Sequence, residues 1–427
     1  MAPDMSDNLT QPHEFVVGNR VFTIVNDAAD SLLAGSLAAD RTWEPWQLSL
    51  YAKLIRAGAT CLDIGGNIGT SALAMGHYAQ GGKVFSFEPV KGTYDLLRRN
   101  IADNRMSNVT PVNLGLSNEA GEALILVDQT LLGNAHRVAG DVGQMSSDQH
   151  TEAFRMERLD DWMAANQVPH ADLIKVDVEG YELEVIAGGQ KAFFGSPDTV
   201  AIFEFAVFAQ RAAETQTPPN SFKDIEFFRK LKASYAHIFL IARDGRLYPV
   251  ESYAHLRCLM LNGYPVEDLL CCQKVTPEMS DMVAPAFATG WGNPTQIMVQ
   301  TDLRAVAALY NRWEDGWTLP SPASFGTRSI AIISTAAPIT IRLEVGQIYP
   351  GPSGLSSCPT LVVVDDRDWV VDPIAGASTI SVALPAGVTC VLVETAHALQ
   401  AHEYFGNPDD PRSVGARVTL PDFEVAV

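Results

Sequence analysis

The chain has 427 residues, too long for one ordinary hydrophobic core, so two or three domains are expected. With 47% hydrophobic and 19% charged residues, it has the composition of a folded globular protein and not of a disordered one. A net charge of −20 without any Lys/Arg run excludes a surface that grips phosphate backbones, so no nucleic-acid partner is expected.

Residues 1–7 lack a basic region followed by an apolar core, and no apolar run approaches the roughly 18 residues that cross a bilayer. Cys61, Cys258, Cys271, Cys272, Cys358 and Cys390 are scattered and form no C-x-x-C pair. The expectation is a cytoplasmic protein with reduced thiols, no transmembrane segment and no zinc, compatible with a homo-oligomer.

In chain order, residues 12–26 alternate as a hairpin turning at Gly18-Asn19. Trp46, Leu50, Leu54 and Ile55 recur at helical spacing over 43–57. The run 60–64 reads as a strand, followed by a glycine-rich turn and a helix reaching about Tyr78. A strand at 83–89, a helix marked by Tyr94, Leu97 and Ile101, and a strand at 109–114 come next. A hairpin with one arm at 123–127 and an irregular return over 135–157 precedes a short helix from Leu159. The strand 171–177, a helix ending at Gly188-Gly189 and a buried strand 199–205 complete an alternating α/β pattern. That alternation predicts a mostly parallel sheet with helices on both faces. A helix at 222–231 and strands at 236–242 and near 256–261 close this domain around residue 272.

Residues 275–319 read as a connector with one short helix over 303–313. From 320 to 427, short strand-like runs at 329–334, 339–343, 360–364, 378–384 and 389–394 are separated by Pro, Gly and Asp turns. This pattern predicts a C-terminal all-β sandwich. The domain scheme is therefore an N-terminal hairpin and helical lead-in (1–58), a nucleotide-binding α/β domain (59–274), the connector and the sandwich.

The turn after the first sheet strand decides the ligand. A dinucleotide fingerprint wants G-x-G-x-x-G, but Asn67 stands in the second glycine place and Thr70 in the last. Asp63 before the turn and Glu88 at the end of the next strand suit a ligand with positive charge and a ribose diol, and not a pyrophosphate. S-adenosylmethionine has an ammonium, a sulfonium and free ribose hydroxyls. Asp63, Glu88 and Asp177 all end parallel strands, at the edge where open α/β sheets bind ligands.

Cys61-Leu62-Asp63-Ile64-Gly65-Gly66-Asn67-Ile68-Gly69, Phe87-Glu88-Pro89, Arg158-Leu159-Asp160-Asp161 and Leu173-Ile174-Lys175-Val176-Asp177-Val178-Glu179-Gly180-Tyr181-Glu182-Leu183-Glu184 resemble the FkbM-type methyltransferases. Trp43-Glu44-Pro45 and the 113–117 strand end match as well, so the resemblance covers about 40–272. It implies a Rossmann-like methyltransferase fold and S-adenosylmethionine-dependent O-methylation of sugars, glycolipids or polyketides. By the same resemblance Asp63, Gly65, Gly66, Asn67 and Gly69 would hold the methionine part, Glu88 the ribose, and Glu44 would reach the cofactor.

A hydroxyl acceptor benefits from a positioned base. Candidates are Asp177 and Glu179 at the strand end, Lys175 on the face of Asp177, Glu204 on the next strand, and His136 in the irregular segment. Helix capping competes as the explanation of Asp177 and Glu179, and His77 reads as a packing residue. Magnesium held by Asp177 and Glu204 is the less favoured alternative, because an adjacent Asp-Asp pair is missing; no metal ligand is assigned. The segments 403–406 and 409–418 resemble the closing strands of β-sandwich domains on bacterial glycan-modifying enzymes. That likeness implies glycan binding, with Trp369 and Tyr404 as stacking platforms; sandwich core and dimerisation compete. The leading reading is methyl transfer to a saccharide or glycoconjugate hydroxyl. A natural-product acceptor, a nicotinamide-dependent oxidoreductase and a glycan-binding scaffold with a degenerate catalytic domain are the alternatives.

Overall fold

A computed structural model describes residues 10–27, 31–128, 136–137, 149–207, 222–260 and 266–284. Further along it describes 306–313, 316–317, 323–324, 328–335, 339–346, 360–371, 377–385, 387–395, 399–400, 413–414 and 417–425. The chain divides into two compact units, Met1–Thr215 with Phe222–Pro249 and Pro265–Ala286, and Gln216–Ser221 with Val250–Tyr264 and Phe287–Val427.

The first unit opens with the expected hairpin, β1 (Thr10–Val17) and β2 (Arg20–Asp27), in register from Thr10↔Asp27 to Val17↔Arg20. Alternation puts Phe15, Val17, Phe22 and Ile24 on its inner face, all fully buried. Two helices follow, α1 (Ser31–Asp40) and α2 (Pro45–Leu54). Pro45 opens α2, where its missing N–H costs nothing, and Gln47, Leu50 and Tyr51 form its buried face.

The sheet strands are β3 (Thr60–Ile64), β4 (Lys83–Phe87) and β5 (Val109–Val112), joined by α3 (Thr70–Tyr78) and α4 (Lys91–Asp103). After a side sheet built from β6 (Gly115–Leu116), β7 (Gly121–Asp128), β8 (His136–Arg137) and β9 (Gln149–Glu157), the chain returns through α5 (Leu159–Ala165). Then come β10 (Leu173–Val176), α6 (Glu182–Gly188), α7 (Gln190–Phe194) and β11 (Val200–Ala206). The unit closes with α8 (Lys223–Ser234), β12 (His237–Ile241), β13 (Leu247–Pro249) and β14 (Val266–Cys272).

Among the described residues the strands form one sheet in the order β13-β12-β14-β11-β10-β3-β4-β5. The five from β11 to β5 are parallel, whereas β14 runs antiparallel between β11 and β12. The sheet is therefore mixed. Its order reverses between β3 and β10, and that reversal opens a crevice at their carboxyl ends. Asn100 of α4 pins the hairpin to this framework: it accepts from the Val25 N–H (2.7 Å) and donates to the carbonyls of Val25 and Ile68 (both 2.9 Å). His77 packs edge-on against Phe22 (6.1 Å) and Tyr78 (4.9 Å), as a packing residue should.

Two elements correct the sequence reading. The strand expected near 256–261 is not found over its described residues, 256–260: Tyr253–Leu259 is a helix (α9), started by Ser252, which accepts the His255 N–H. The sheet strand is instead β14, ten residues later in the chain. The helix expected over 303–313 is strand β15 (Val306–Trp313), whose backbone pairs with β18 (Arg328–Thr335) from Val306↔Ser334 to Asn311↔Ser329. Sheet partners far along the chain override the local spacing there, and β structure begins inside the presumed connector.

Among the described residues the second unit is otherwise all-β. One sheet has the order β16 (Gly316–Trp317), β15, β18, β23 (Gly387–Thr395), β20 (Thr360–Val364), β21 (Arg367–Val371). A second has β17 (Ala323–Ser324), β26 (Arg417–Val425), β19 (Ile339–Gly346), β22 (Ser378–Leu384), and β24 (Leu399–Gln400) pairs with β25 (Ser413–Val414). In β22, Ile380, Val382 and Leu384 are buried while Thr379, Ser381 and Ala383 are exposed, the period-two pattern of a half-buried strand. Helix α9 belongs to this unit, with the Tyr253 N–H on Asp366 (2.9 Å) and the Ala254 N–H on the Asp365 carbonyl (3.1 Å). Trp369 is part-buried on β21; Tyr404 lies outside the described residues. Cys61, Cys271, Cys272 and Cys390 are buried free thiols. Among the described residues no helix is long and apolar enough to cross a membrane.

Candidate active site

The crevice is built first by the turn between β3 and α3. The N–H groups of Gly65 and Gly66 both donate to the Phe87 carbonyl (3.0 and 2.8 Å), which folds the turn back over β4. Gly65 has φ +85°, and a Cβ there would stand 1.7 Å from the carbonyl oxygen of Asp177. Gly69 has φ +100° and faces Leu97. Side chains are excluded at both positions. Asn67, at φ +45°, is a residue type that tolerates this left-handed region.

Strand register places Ser86, Asp63 and Lys175 side by side on β4, β3 and β10. The Ser86 hydroxyl donates to Asp63 Oδ2 (2.7 Å), while Asp63 Oδ1 is buried with no hydrogen-bond partner. Burial pushes the Asp63 carboxyl up to about 6, against Lys175 and the Ser86 hydrogen bond, which pull it down. Glu88 accepts from the Val90 N–H (2.9 Å) on one oxygen and from the Asn67 N–H (3.0 Å) on the other. Each oxygen keeps one lone pair for a ligand hydroxyl. Burial raises this carboxyl to about 8. Asn67 Oδ1 is a second buried acceptor without a partner.

Across the reversal point, Lys175 is 4% exposed in a strand buried at every position. An ammonium in such a strand needs paired charge. Its Nζ donates to Asp177 Oδ2 (2.7 Å). Burial pulls the lysine down, but Asp177, Tyr51, Glu44 and Asp63 together hold it well above its ordinary value. Glu179, in left-handed backbone (φ +51°), is raised to about 8 by burial and by Asp177. Glu182 is fully buried at the start of α6 and accepts from the N–H groups of Val178 and Gly180 (both 3.3 Å). These bonds brace the turn ahead of α6, and among the described residues neither Asp177 nor Glu179 accepts a backbone N–H that would make it a cap. Those two, with Glu204 of β11, each bring one carboxylate oxygen within 4.8 Å of the other two. Burial first, then Asp177, pushes Glu204 well above the usual carboxylate range.

Glu44 precedes α2 with left-handed backbone (φ +46°) and makes no side-chain cap. Burial and Asp268 raise it to about 8, and Lys175, Asp177 and Asp63 also act on it, which places it at the same crevice. The expected cofactor residues and Lys175, Asp177, Glu179 and Glu204 are thus brought together. His136 is in β8, its backbone opposite Leu126 of β7; its side chain lies outside the described residues.

Asp268 is an addition that sequence reasoning missed. It is the direct cross-strand partner of Glu204 on β14 and accepts from Gln47 Nε2 (2.8 Å) and Trp46 Nε1 (3.2 Å). The Tyr51 hydroxyl donates to Gln47 Oε1 (2.7 Å) and meets Ser71 of α3 (3.3 Å). This relay ties the Glu44 turn to α3 and to the acidic strand ends. Its sequence signal is the pair Glu267-Asp268 ahead of an apolar run, legible only once β14 is recognised as a strand.

Among curated proteins, the hexuronic acid methyltransferase AglP of Haloferax volcanii is 33% identical over 126 residues, covering 30% of this chain and 48% of that protein. Methyltransferase sdnD of Sordaria araneosa is 32% identical over 152 residues, covering 30% of this chain and 59% of that protein. Methyltransferase 1 of Beauveria bassiana is 26% identical over 157 residues, covering 33% and 62%. The chain thus spans about half of AglP and three-fifths of the other two. Residues 63–233, from the β3 aspartate into α8, match the family model described as the methyltransferase FkbM domain, in line with the resemblance carried by the turn and the Lys175–Glu184 segment.

Proposed function

We propose that this chain is an S-adenosylmethionine-dependent O-methyltransferase whose acceptor is a hydroxyl of a saccharide or glycoconjugate. The observation that carries the reading is the pair of buried acceptors without donors, Asp63 Oδ1 and Asn67 Oδ1, at a turn that excludes side chains and stands next to Glu88. The residues fit such a cofactor: an ammonium supplies the donors that Asp63 and Asn67 lack, and ribose hydroxyls supply donors to Glu88. When bound, S-adenosylmethionine supplies an electrophilic methyl group on a sulfonium.

The chain's own part is alignment and charge. The β3 turn and Glu88 fix the donor, and Asp177, Glu179 and Glu204 face the place where a hydroxyl must approach in line, with Lys175 orienting Asp177. The saccharide assignment draws its support from the relative named a hexuronic acid methyltransferase. For the β-rich unit we propose positioning of the glycan, with Trp369 as a stacking surface.

Calorimetry with S-adenosylhomocysteine and with NAD tests the donor: binding of the first and not the second is expected, and NAD binding alone overturns the proposal. Mass spectrometry of surface glycans from cells lacking the protein tests the acceptor. Loss of one O-methyl group is expected, and an unchanged glycan with a changed small natural product overturns the saccharide assignment. Trp369→Ala should weaken polysaccharide binding, and unchanged binding removes that role.

A further inference from the structure

The acids on the acceptor side exceed the charge available to balance them. Asp177, Glu179 and Glu204 converge with one oxygen each inside 4.8 Å, and Asp268 and Glu44 act on the same place. The cation that the described residues put among them is Lys175, and its Nζ is bound to Asp177 Oδ2. A second observation is independent of this crowding. Glu204 as a residue is only partly buried, yet its Oε2 is closed off from solvent and takes no hydrogen bond among the described residues. A buried carboxylate oxygen with no donor lacks a partner that a water molecule or a neighbouring N–H would ordinarily provide.

Capping does not account for the cluster, because among the described residues neither Asp177 nor Glu179 accepts a backbone N–H at the start of α6. Neither does the donor cofactor, which by the reading above occupies the β3 side. We propose that Asp177, Glu179 and Glu204 bind a hard divalent cation of the magnesium or manganese class. The donor set is all oxygen, with no His or Cys, which matches these ions and not zinc. Magnesium is ordinarily held by a few carboxylates and keeps further positions for water or substrate oxygens. Those positions face the acceptor, so the cation holds vicinal oxygens of a polyol against the methyl donor. This acceptor role rests on the methyltransferase reading; the cation site itself does not.

The test uses the full chain freed of metal with a chelator and titrated with Mn2+, followed by its electron paramagnetic resonance signal, with S-adenosylhomocysteine affinity measured in parallel by calorimetry. About one Mn2+ per chain is expected, displaced by excess Mg2+. Glu204→Gln should weaken Mn2+ by about tenfold or more and leave S-adenosylhomocysteine affinity, measured on the metal-free protein, unchanged. Glu179→Gln is the second variant should the first fail to fold. No Mn2+ binding by the unmodified chain, or equal binding by a folded Glu204→Gln or Glu179→Gln, overturns the site. Glu204-dependent Mn2+ binding without S-adenosylhomocysteine binding keeps the cation site and removes the methyltransferase reading.

Discussion

The crevice has two halves that answer the same problem, buried acids, in different ways. On the β3–β4 side three of the four acidic oxygens have a donor and Asp63 Oδ1 is left over: Ser86 holds Asp63 Oδ2, and the N–H groups of Asn67 and Val90 hold Glu88. On the β10–β11 side, Asp177 has Lys175, but Glu204 Oε2 has no donor and Glu179 is crowded by Asp177 and Glu182. A half whose acids are held mostly by its own hydroxyl and N–H groups is largely shaped before any ligand arrives. A half whose charge is left uncompensated is shaped for what it binds.

Removing the one ammonium tests the contrast most severely. Lys175→Met leaves buried acids unpaired and should cost about 3–5 kcal/mol of stability in chemical denaturation. An unchanged midpoint would mean that the acids carry no charge in the folded chain. Gly65→Ala comes next, because its Cβ would collide with the Asp177 carbonyl in backbone that disfavours alanine. A loss of roughly 1–3 kcal/mol is expected from such overpacking, together with loss of S-adenosylhomocysteine binding.

Asp63→Asn should leave the fold intact and lower S-adenosylhomocysteine affinity by roughly 10–100-fold, the size of a lost charge-assisted hydrogen bond of about 1.5–3 kcal/mol. Because Asp63 ionises near 6, the affinity of the unmodified protein should be fully present above that pH and fall as the pH drops through it. The Asp63→Asn variant should lose that dependence, as calorimetry on either side of the Asp63 ionisation would read.

The smallest effect concerns the ligand-free protein. Glu88 is raised from 4.5 to about 8, so folding takes up a proton between those values. Its contribution to stability is whole below about 4.5 and is lost as the pH rises through about 8. Glu44, Glu179 and Glu267, raised likewise, share the sign. The melting temperature should fall across this window, by about 2–4 °C for each kcal/mol lost, and Glu88→Gln should flatten the slope.

The β3–β4 half is the more legible in sequence, because Asp63, Gly65, Asn67 and Gly69 lie within one contiguous strand and turn whose residue types follow from local backbone geometry. Lys175 is legible for a different reason: a lysine inside Leu173-Ile174-Lys175-Val176 has no place in a buried strand without a partner. The β10–β11 half escapes wherever it depends on distant chain. Asp268 matters because β14 inserts antiparallel beside β11, whereas the sequence pattern puts that strand at 256–261, where α9 lies. Gln47, Tyr51 and Ser71 form their relay only after α2 packs against α3. The strand at Val306–Trp313 reads as helical in isolation because most of its pairing is with β18, 18 to 28 residues away.

The missing side chain at Gly65 also sets how the two halves behave together. With no Cβ between them, the β3 turn rests on the Asp177 carbonyl, and the Asp177 N–H in turn donates to the Ile64 carbonyl (2.9 Å). The two ligand positions therefore share a backbone joint. A ligand that shifts Asp177 alters the turn's affinity for its own ligand, and linkage makes the effect mutual and equal in free energy. At this joint, occupancy on one side is a thermodynamic signal to the other.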